Sequence, residues 1–246
     1  MHTDPAVLVQ GLVKRYRNRE VLRELDLTLP RSSITGLLGR NGAGKTTTIR
    51  ILLGLTWRHS GEVRVLGLDP ADERQRAAIA ARVGYTAEVP NAPAWMSLEQ
   101  ALGECRGVFP RWQESLADDL IARFGLDRHQ RLGALSKGQR GQAAFTLAMA
   151  RRPELLILDE PTSGFDPIAR REFLEIMLDL AVANETTVLL ASHLLDDVER
   201  ACDRLAIIRD GRIVLAGATS ELLAGGRSLE ELFAGAAGPR PREVQV

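Results

Sequence analysis

Residues 39–48 read GRNGAGKTTT, and the spacing of Gly39, Gly44, Lys45 and Thr46 satisfies G-x-x-x-x-G-K-[ST]. Glycine puts no Cβ in the way, so successive backbone N–H groups can curl around an anion. At this spacing Lys45 reaches the outer phosphates of a nucleotide, and the Thr46 hydroxyl is a hard oxygen ligand for Mg²⁺. The candidate cradle comprises Gly39, Arg40, Asn41, Gly42, Ala43, Gly44, Lys45, Thr46 and Thr47. ITGLLG before it reads as a strand and TTTIRILLGL after it as a helix. The helix thereby presents its positive N-terminal end to the phosphates.

LLILDE at 155–160 supplies a second cluster. Its four apolar residues make a buried strand, and Asp159 at the strand's C-terminal end is placed to hold Mg²⁺. Glu160, one residue further, is placed to polarise an attacking water. Alone, an acidic pair ending a strand is more often a helix cap or a solvated rim; downstream of a phosphate loop it predicts metal and water chemistry. A third stretch, LSKGQ at 135–139, puts Ser136 and Gly138 at a helix start, where a hydroxyl and backbone N–H groups meet an anion.

With these three stretches in the chain order glycine loop, LSKGQ, LLILDE, the sequence resembles the ATP-binding subunit of an ABC transporter, whose signature is LSGGQ just before a helix. The resemblance runs from about Val7 to Leu223. It implies that Tyr16 stacks on adenine and that Glu88, in GYTAE, occupies a loop that usually carries Gln and serves Mg²⁺ and catalysis. It also implies that SGFD (163–166) is the D-loop and that His193, in ASHLLDDVER, is the switch histidine. Ser136, Gly138 and Gln139 are then expected to bind the γ-phosphate held by a second copy of the subunit. ATP would close a dimer and hydrolysis would open it. The ligands expected are ATP and Mg²⁺, the latter on Thr46, Glu88 and Asp159. Catalysis is expected from Glu160 and His193 with Lys45 and Glu88.

The sequence departs from the family pattern in three places. Lys137 replaces the middle glycine of LSGGQ. Gly141 and Gln142 stand where many members have a more helix-favouring, basic run, and glycine in a helix costs about 1 kcal/mol relative to alanine. Glu88 stands in place of Gln and resembles the branch containing bacterial drug and peptide-antibiotic exporters.

The elements that must position these residues follow from hydrophobic patterning. VLVQGLVKRY, VLRELDLTLP and GEVRVLG read as strands of a small antiparallel sheet. ADERQRAAIAAR reads as a helix and VGYTAEV as a strand. Ser97 and Gln100 have capping-box spacing, and the chain from there to Arg152 reads mainly as helices, broken at FPRW and near Gly133. LLILD, TTVLLAS and RLAIIRDGRIVLAG return to buried strands, with the helix REFLEIMLDLA between. The expected fold is α/β: a P-loop NTPase (RecA-like) core with an N-terminal antiparallel β subdomain and an inserted α-helical subdomain. The expected boundaries are one domain over 1–234, with core and β subdomain at 1–87 and 147–222 and the helical insert at 88–146. Residues 235–246 read as a disordered tail.

Composition narrows the function. The 246 residues are 45% hydrophobic and 26% charged, and Lys+Arg and Asp+Glu balance at 32 each, so no basic field points to nucleic acid. Lys14, Lys45 and Lys137 are the only lysines. Cys105 and Cys202 lack metal-ligand spacing, as expected of a reduced, cytosolic setting. No signal-peptide pattern opens the chain, and no apolar run approaches the roughly 18 residues of a membrane span. The reading is an ATPase subunit, homodimeric with ATP, peripheral on the inner face of the membrane through a separate integral permease and acting in export. Its coupling surface is expected after Glu88, in the PNAPAW and FPRW segments. The alternatives are an ABC-type ATPase acting on nucleic acid or ribosomes, and a regulatory subunit that senses ATP without hydrolysing it.

Overall fold

The computed structural model describes residues 4–88 and 93–237. Three strands, β1 (Val7–Tyr16), β2 (Arg19–Leu29) and β4 (Ser60–Val65), form an antiparallel sheet in the order β2-β1-β4. A six-stranded sheet has the order β5-β6-β7-β3-β8-β9, built from β3 (Ile34–Leu38), β5 (Val83–Thr86), β6 (Leu155–Asp159), β7 (Thr187–Ser192), β8 (Arg204–Arg209) and β9 (Arg212–Ala218). The five strands from β5 to β8 in that order are parallel.

Burial on both faces explains the apolar runs of these strands. Along β6, Leu155 and Ile157 join a core shared with the small sheet and with α1 (Lys45–Leu52), including Leu12, Leu22 and Ile49. Leu156 and Leu158 face the other way, against Phe145, Phe173 and Val198. These belong to α5 (Lys137–Met149), α6 (Pro167–Ala183) and α7 (Leu195–Ala201), in that order. Phe145 and Phe173 meet edge to face at 4.8 Å.

The strand ending RLAIIRDGRIVLAG departs from an all-parallel core. Asp210 and Gly211 both take positive φ, 48° and 79°, the backbone of a tight two-residue hairpin turn, so β9 returns antiparallel to β8 at the sheet edge. α2 (Glu73–Arg82) is capped by Asp72 and leads into β5. Residues 89–92 lie outside the described residues. The helical block contains α3 (Leu98–Val108), α4 (Glu114–Phe124), a short 3-10 turn (Leu132–Ala134) and α5. The expected capping box at Ser97 and Gln100 is formed.

Helix α5 gives Ala143 to the small core of this block and Phe145, Ala148 and Met149 to the main core. The expected boundary after 146 therefore falls inside a continuous helix that serves both. After β9 come α8 (Thr219–Leu222) and α9 (Leu229–Ala237). Residues 235–237, read from sequence as part of a disordered tail, continue α9 instead. Phe233 and Ala236 pack on the main core, and Arg209 donates to the Ala236 carbonyl. Residues 238–246 lie outside the described residues. Among the described residues, no helix is long and apolar enough to cross a membrane.

In FPRW, Pro110 and Arg111 are exposed while the two aromatics are half-buried. The Arg151 guanidinium lies 3.4 Å from the Phe109 ring centroid, and the Trp112 indole N–H donates to Glu114 at 2.7 Å. Trp95 is 67% exposed; Pro90, Asn91 and Ala92 of PNAPAW are outside the described residues.

Glu114 ties α3 to α4. It accepts from Arg106 at 2.7 and 2.9 Å as well as from Trp112, and these bonds, the Arg106 pair foremost, lower its pKa from 4.5 to about 2. A carboxylate depressed by folding stabilises above its unfolded pKa and loses that contribution as pH falls through the folded value. The α3–α4 contact should therefore loosen between pH 4.5 and about 2. Trp112 fluorescence in a Trp57→Phe, Trp95→Phe background should change over that window. In Glu114→Gln the same change should already be present at neutral pH.

Candidate nucleotide site

The C-terminal ends of the parallel strands share one edge. Leu38 of β3 aligns with Ser192 of β7, and Asp159 of β6 aligns with Ala191. Gly39, Glu160 and His193, the residues that follow these strands or lie one step beyond, therefore open loops side by side, where parallel α/β sheets bind ligands.

The glycine loop is shaped for backbone approach. Gly42 and Gly44 have φ of 80° and 120°, and a Cβ on Gly44 would lie 2.6 Å from Leu22 Cδ2. No acidic residue sits in the first turn of α1, so nothing competes with an anion for its N–H groups. Lys45 is buried; its ammonium donates to the Gly39 carbonyl at 2.5 Å and lies 3.1 Å from Glu160 Oε1. Thr46 donates to Asp159 Oδ2 at 2.9 Å.

The other Asp159 oxygen, Oδ1, is buried with no hydrogen-bond partner. Burial pushes the Asp159 carboxyl above the usual carboxylate range; the charges of Glu160 and Glu88 add to this, while the Thr46 bond and Lys45 oppose it. An orphaned carboxylate oxygen beside a threonine hydroxyl fits Mg²⁺, which takes few protein oxygens and completes its shell with phosphate and water. Among the described residues no cluster of three His, Cys, Asp or Glu side chains could hold a metal alone.

Glu160 has φ of 52°, a left-handed conformation that side chains pay roughly 1 kcal/mol or more to adopt. Its Oε2 is 2.7 Å from His193 Nδ1 and accepts from the His193 backbone N–H at 3.3 Å. The carboxylate is thus held between a buried ammonium and an imidazole. A cleft of about 390 Å³ collects Tyr16, Arg40, Asn41, Gly42, Gly44, Lys45, Thr46, Thr47, Glu88 and Glu160. Tyr16 is 43% exposed, with the Lys14 ammonium 4.7 Å from its ring centroid. Arg19 and Val21 also line the cleft and carry no motif that would have marked them.

Ser136, Gly138 and Gln139 are elsewhere. They line a second cleft, also about 390 Å³, with Lys137, Gly164 and Asp166, and contribute nothing to the first. Ser136 caps α5: its Oγ accepts from the Gln139 N–H, and Gln139 Oε1 accepts from the Ser136 N–H. The Gln139 carbonyl is thereby committed to the cap, while the Ser136 hydroxyl proton can still be donated outward. Gly141 has a packing reason, because a Cβ there would come within 3.1 Å of the Phe165 ring and 3.2 Å of the Pro161 carbonyl.

Sequence reasoning missed Asp197. It is fully buried on α7 and accepts from Thr162 at 2.5 Å, pinning the loop that follows Glu160. Its place four residues after His193 was a signal that could have been weighed.

Residues 22–163 match the model of the ABC transporter family. An ABC transporter ATP-binding protein of Bacillus subtilis, YdbJ, is 35% identical over 212 residues, covering 85% of this chain and 68% of the relative. A fluoroquinolones export ATP-binding protein of Mycobacterium tuberculosis is 36% identical over 222 residues, covering 88% and 72% respectively. A solved ATP-binding subunit of an ABC transporter superposes with a TM-score of 0.86 at 28% identity, covering 94% of this chain and 99% of that one.

Lys45→Ala removes a buried cation from the first cleft. A hydrogen bond to a charged group contributes about 1.5–3 kcal/mol, so ATP affinity should fall roughly 10- to 150-fold in a fluorescence titration. Near-normal affinity would mean that the phosphates are held elsewhere.

Proposed function

This chain belongs to the ABC transporter family as an ATP-binding, ATP-hydrolysing cassette, and on that premise we propose that it energises a separate membrane permease working in export. Two copies close around two ATP molecules and part after hydrolysis. The observation that carries this reading is the separation of the clefts. Ser136 and Gly138 offer donors to an anion, yet share no cleft with the phosphate loop of their own chain. A second copy brings such a surface to the nucleotide.

Within one site, the geometry supports the following roles. ATP arrives as the substrate with Mg²⁺, which supplies charge neutralisation on the transferring phosphoryl group. Thr46 and Asp159 would hold the cation. A γ-phosphate competes for Lys45 with the Gly39 carbonyl and Glu160, and once Lys45 has turned to it, Glu160 is free to face water. Glu160 orients that water for in-line attack and takes its proton. His193 fixes the carboxylate through Nδ1 and the backbone N–H. Tyr16 offers a ring face to adenine, and Glu88 stands at the metal side of the cleft. The exposed Trp95 supports the start of the helical block as the surface that meets the permease. An equal number of acidic and basic residues gives no support to a nucleic-acid or ribosomal partner.

Glu160→Gln is nearly isosteric but a poor base, so turnover should collapse by a factor of about 10² or more while ATP still binds. The ATP-bound variant should accumulate as a dimer in sedimentation; substantial turnover would remove Glu160 from its role. Ser136→Arg in the same background tests the composite site. Monomer affinity for ATP should stay within roughly threefold, less than the tenfold that 1.4 kcal/mol represents, while ATP-driven dimerisation is lost. A dimer that persisted, or a monomer unable to bind ATP, would overturn the reading.

A further inference from the structure

Lys137 stands where the resembling signature has glycine, in the first turn of α5. A cation there opposes the helix dipole and needs an offset. The offset is local. The Lys137 ammonium donates to Ser163 Oγ at 2.7 Å, and its methylenes lie across Gly164. Gly164 has φ of 88°, and an added Cβ would sit 2.7 Å from Lys137 Cδ, so the bare backbone leaves room for the lysine stem. Beside this contact, the faces of Gly138 and Gly141 pack on Phe165, whose ring is edge-on to Phe173 at 5.4 Å. Asp166 then caps α6 through the N–H groups of Ile168 and Ala169.

The choice of lysine is itself informative. Only three of 32 basic residues are lysine. Each ammonium has a definite partner: Lys14 with the Trp57 carbonyl, Lys45 with the Gly39 carbonyl, and Lys137 with Ser163. Lysine persists where a compact point donor on a flexible stem is used, for which the planar arginine fork is a poor substitute.

We propose that Lys137 is a positioning residue that ties the Ser163–Gly164 turn to the start of α5, so that Ser136, Gly138 and Asp166 reach a second copy of the chain as one preassembled surface. This rests on the dimer reading above. Preassembly lowers the ordering cost of association and leaves each chain's own nucleotide site untouched. The rival role, a direct donor from Lys137 to the phosphate across the interface, predicts a different pattern of energies.

The test is a double-mutant cycle in the Glu160→Gln background, with ATP-driven dimerisation read by sedimentation. Lys137→Met keeps the stem and removes the ammonium; Ser163→Ala removes the acceptor. Each should weaken the dimer roughly three- to tenfold, the range expected for one hydrogen bond, and the double variant should be no worse than the weaker single. Monomer ATP affinity should match the parent in all three, which also reports an intact fold. With Glu160 restored, the protein concentration giving half-maximal ATPase activity should rise by the same factor, with the maximal rate changed less than twofold. Additive losses, or a single variant that dimerises like its parent, would overturn the tether. Ser136→Arg run alongside separates the failures. If it dimerises, the composite-site reading has failed; if it does not while Lys137→Met behaves as the parent, only the tether has failed.

Discussion

The parallel alignment of β3, β7 and β6 is the constraint on which the chemistry depends. Three loops far apart in sequence meet because their strands end on one sheet edge, with Leu38 opposite Ser192 and Asp159 opposite Ala191. Each strand is buried along its whole length on both faces, so alternation alone does not fix the register. The ends do. Sliding β6 inward by two residues would carry Asp159 into the sheet interior, away from Thr46, and an unpaired buried carboxylate costs several kcal/mol. The carboxylate that meets Thr46 also marks where the strand must stop.

On that edge the charges are arranged to exchange partners. Lys45 and Glu160 are both buried and 3.1 Å apart, an arrangement that is costly unless each is paired. Their mutual neutralisation makes both affordable in one place, and it is a pairing that an incoming phosphate can compete for. Glu160 is kept available by its backbone: the left-handed turn at the strand end lifts its carboxylate out of the sheet, between Lys45 and His193. Local strain here is the structural cause of the carboxylate's position.

What was legible in the sequence was the part in which chemistry dictates residue type at short range. The glycine loop, the buried strand ending in Asp159 and the capped LSKGQ helix each carry their constraint within a few residues. The order of strands and helices was legible for the same reason, through apolar runs and caps. What escaped depends on contacts distant in sequence. Gly141 reads as a weak point in a helix until Phe165 and Pro161 are seen against it. The aromatics of FPRW, expected to form part of a coupling surface, are half-buried through contacts with Arg151 and Glu114 that the short segment does not reveal. The end of α9 reads as a tail because its composition is poor in large side chains, although Phe233 anchors it on the main core. The antiparallel return of β9 was visible only as an Asp-Gly pair, a signal that says where a chain turns and not which sheet it rejoins.

The short loop from Glu160 to Asp166 joins the two clefts. Glu160 faces Lys45 and His193 at one end, and Asp166 caps α6 beside the second cleft at the other. Between them Thr162 is held by buried Asp197, Ser163 by Lys137, and Phe165 by the aromatic cluster. Asp197 lies on α7, four residues beyond His193, so the segment that begins at Glu160's imidazole partner also grips the loop that runs to the second cleft. A loop pinned at so many points does not deform gradually. Its position is set by the elements that hold it. Glu160 in the first cleft and Ser163 against Lys137 are therefore three residues apart on one pinned segment, and the first cleft and the surface around the Ser136 cap are shaped by the same short stretch of chain.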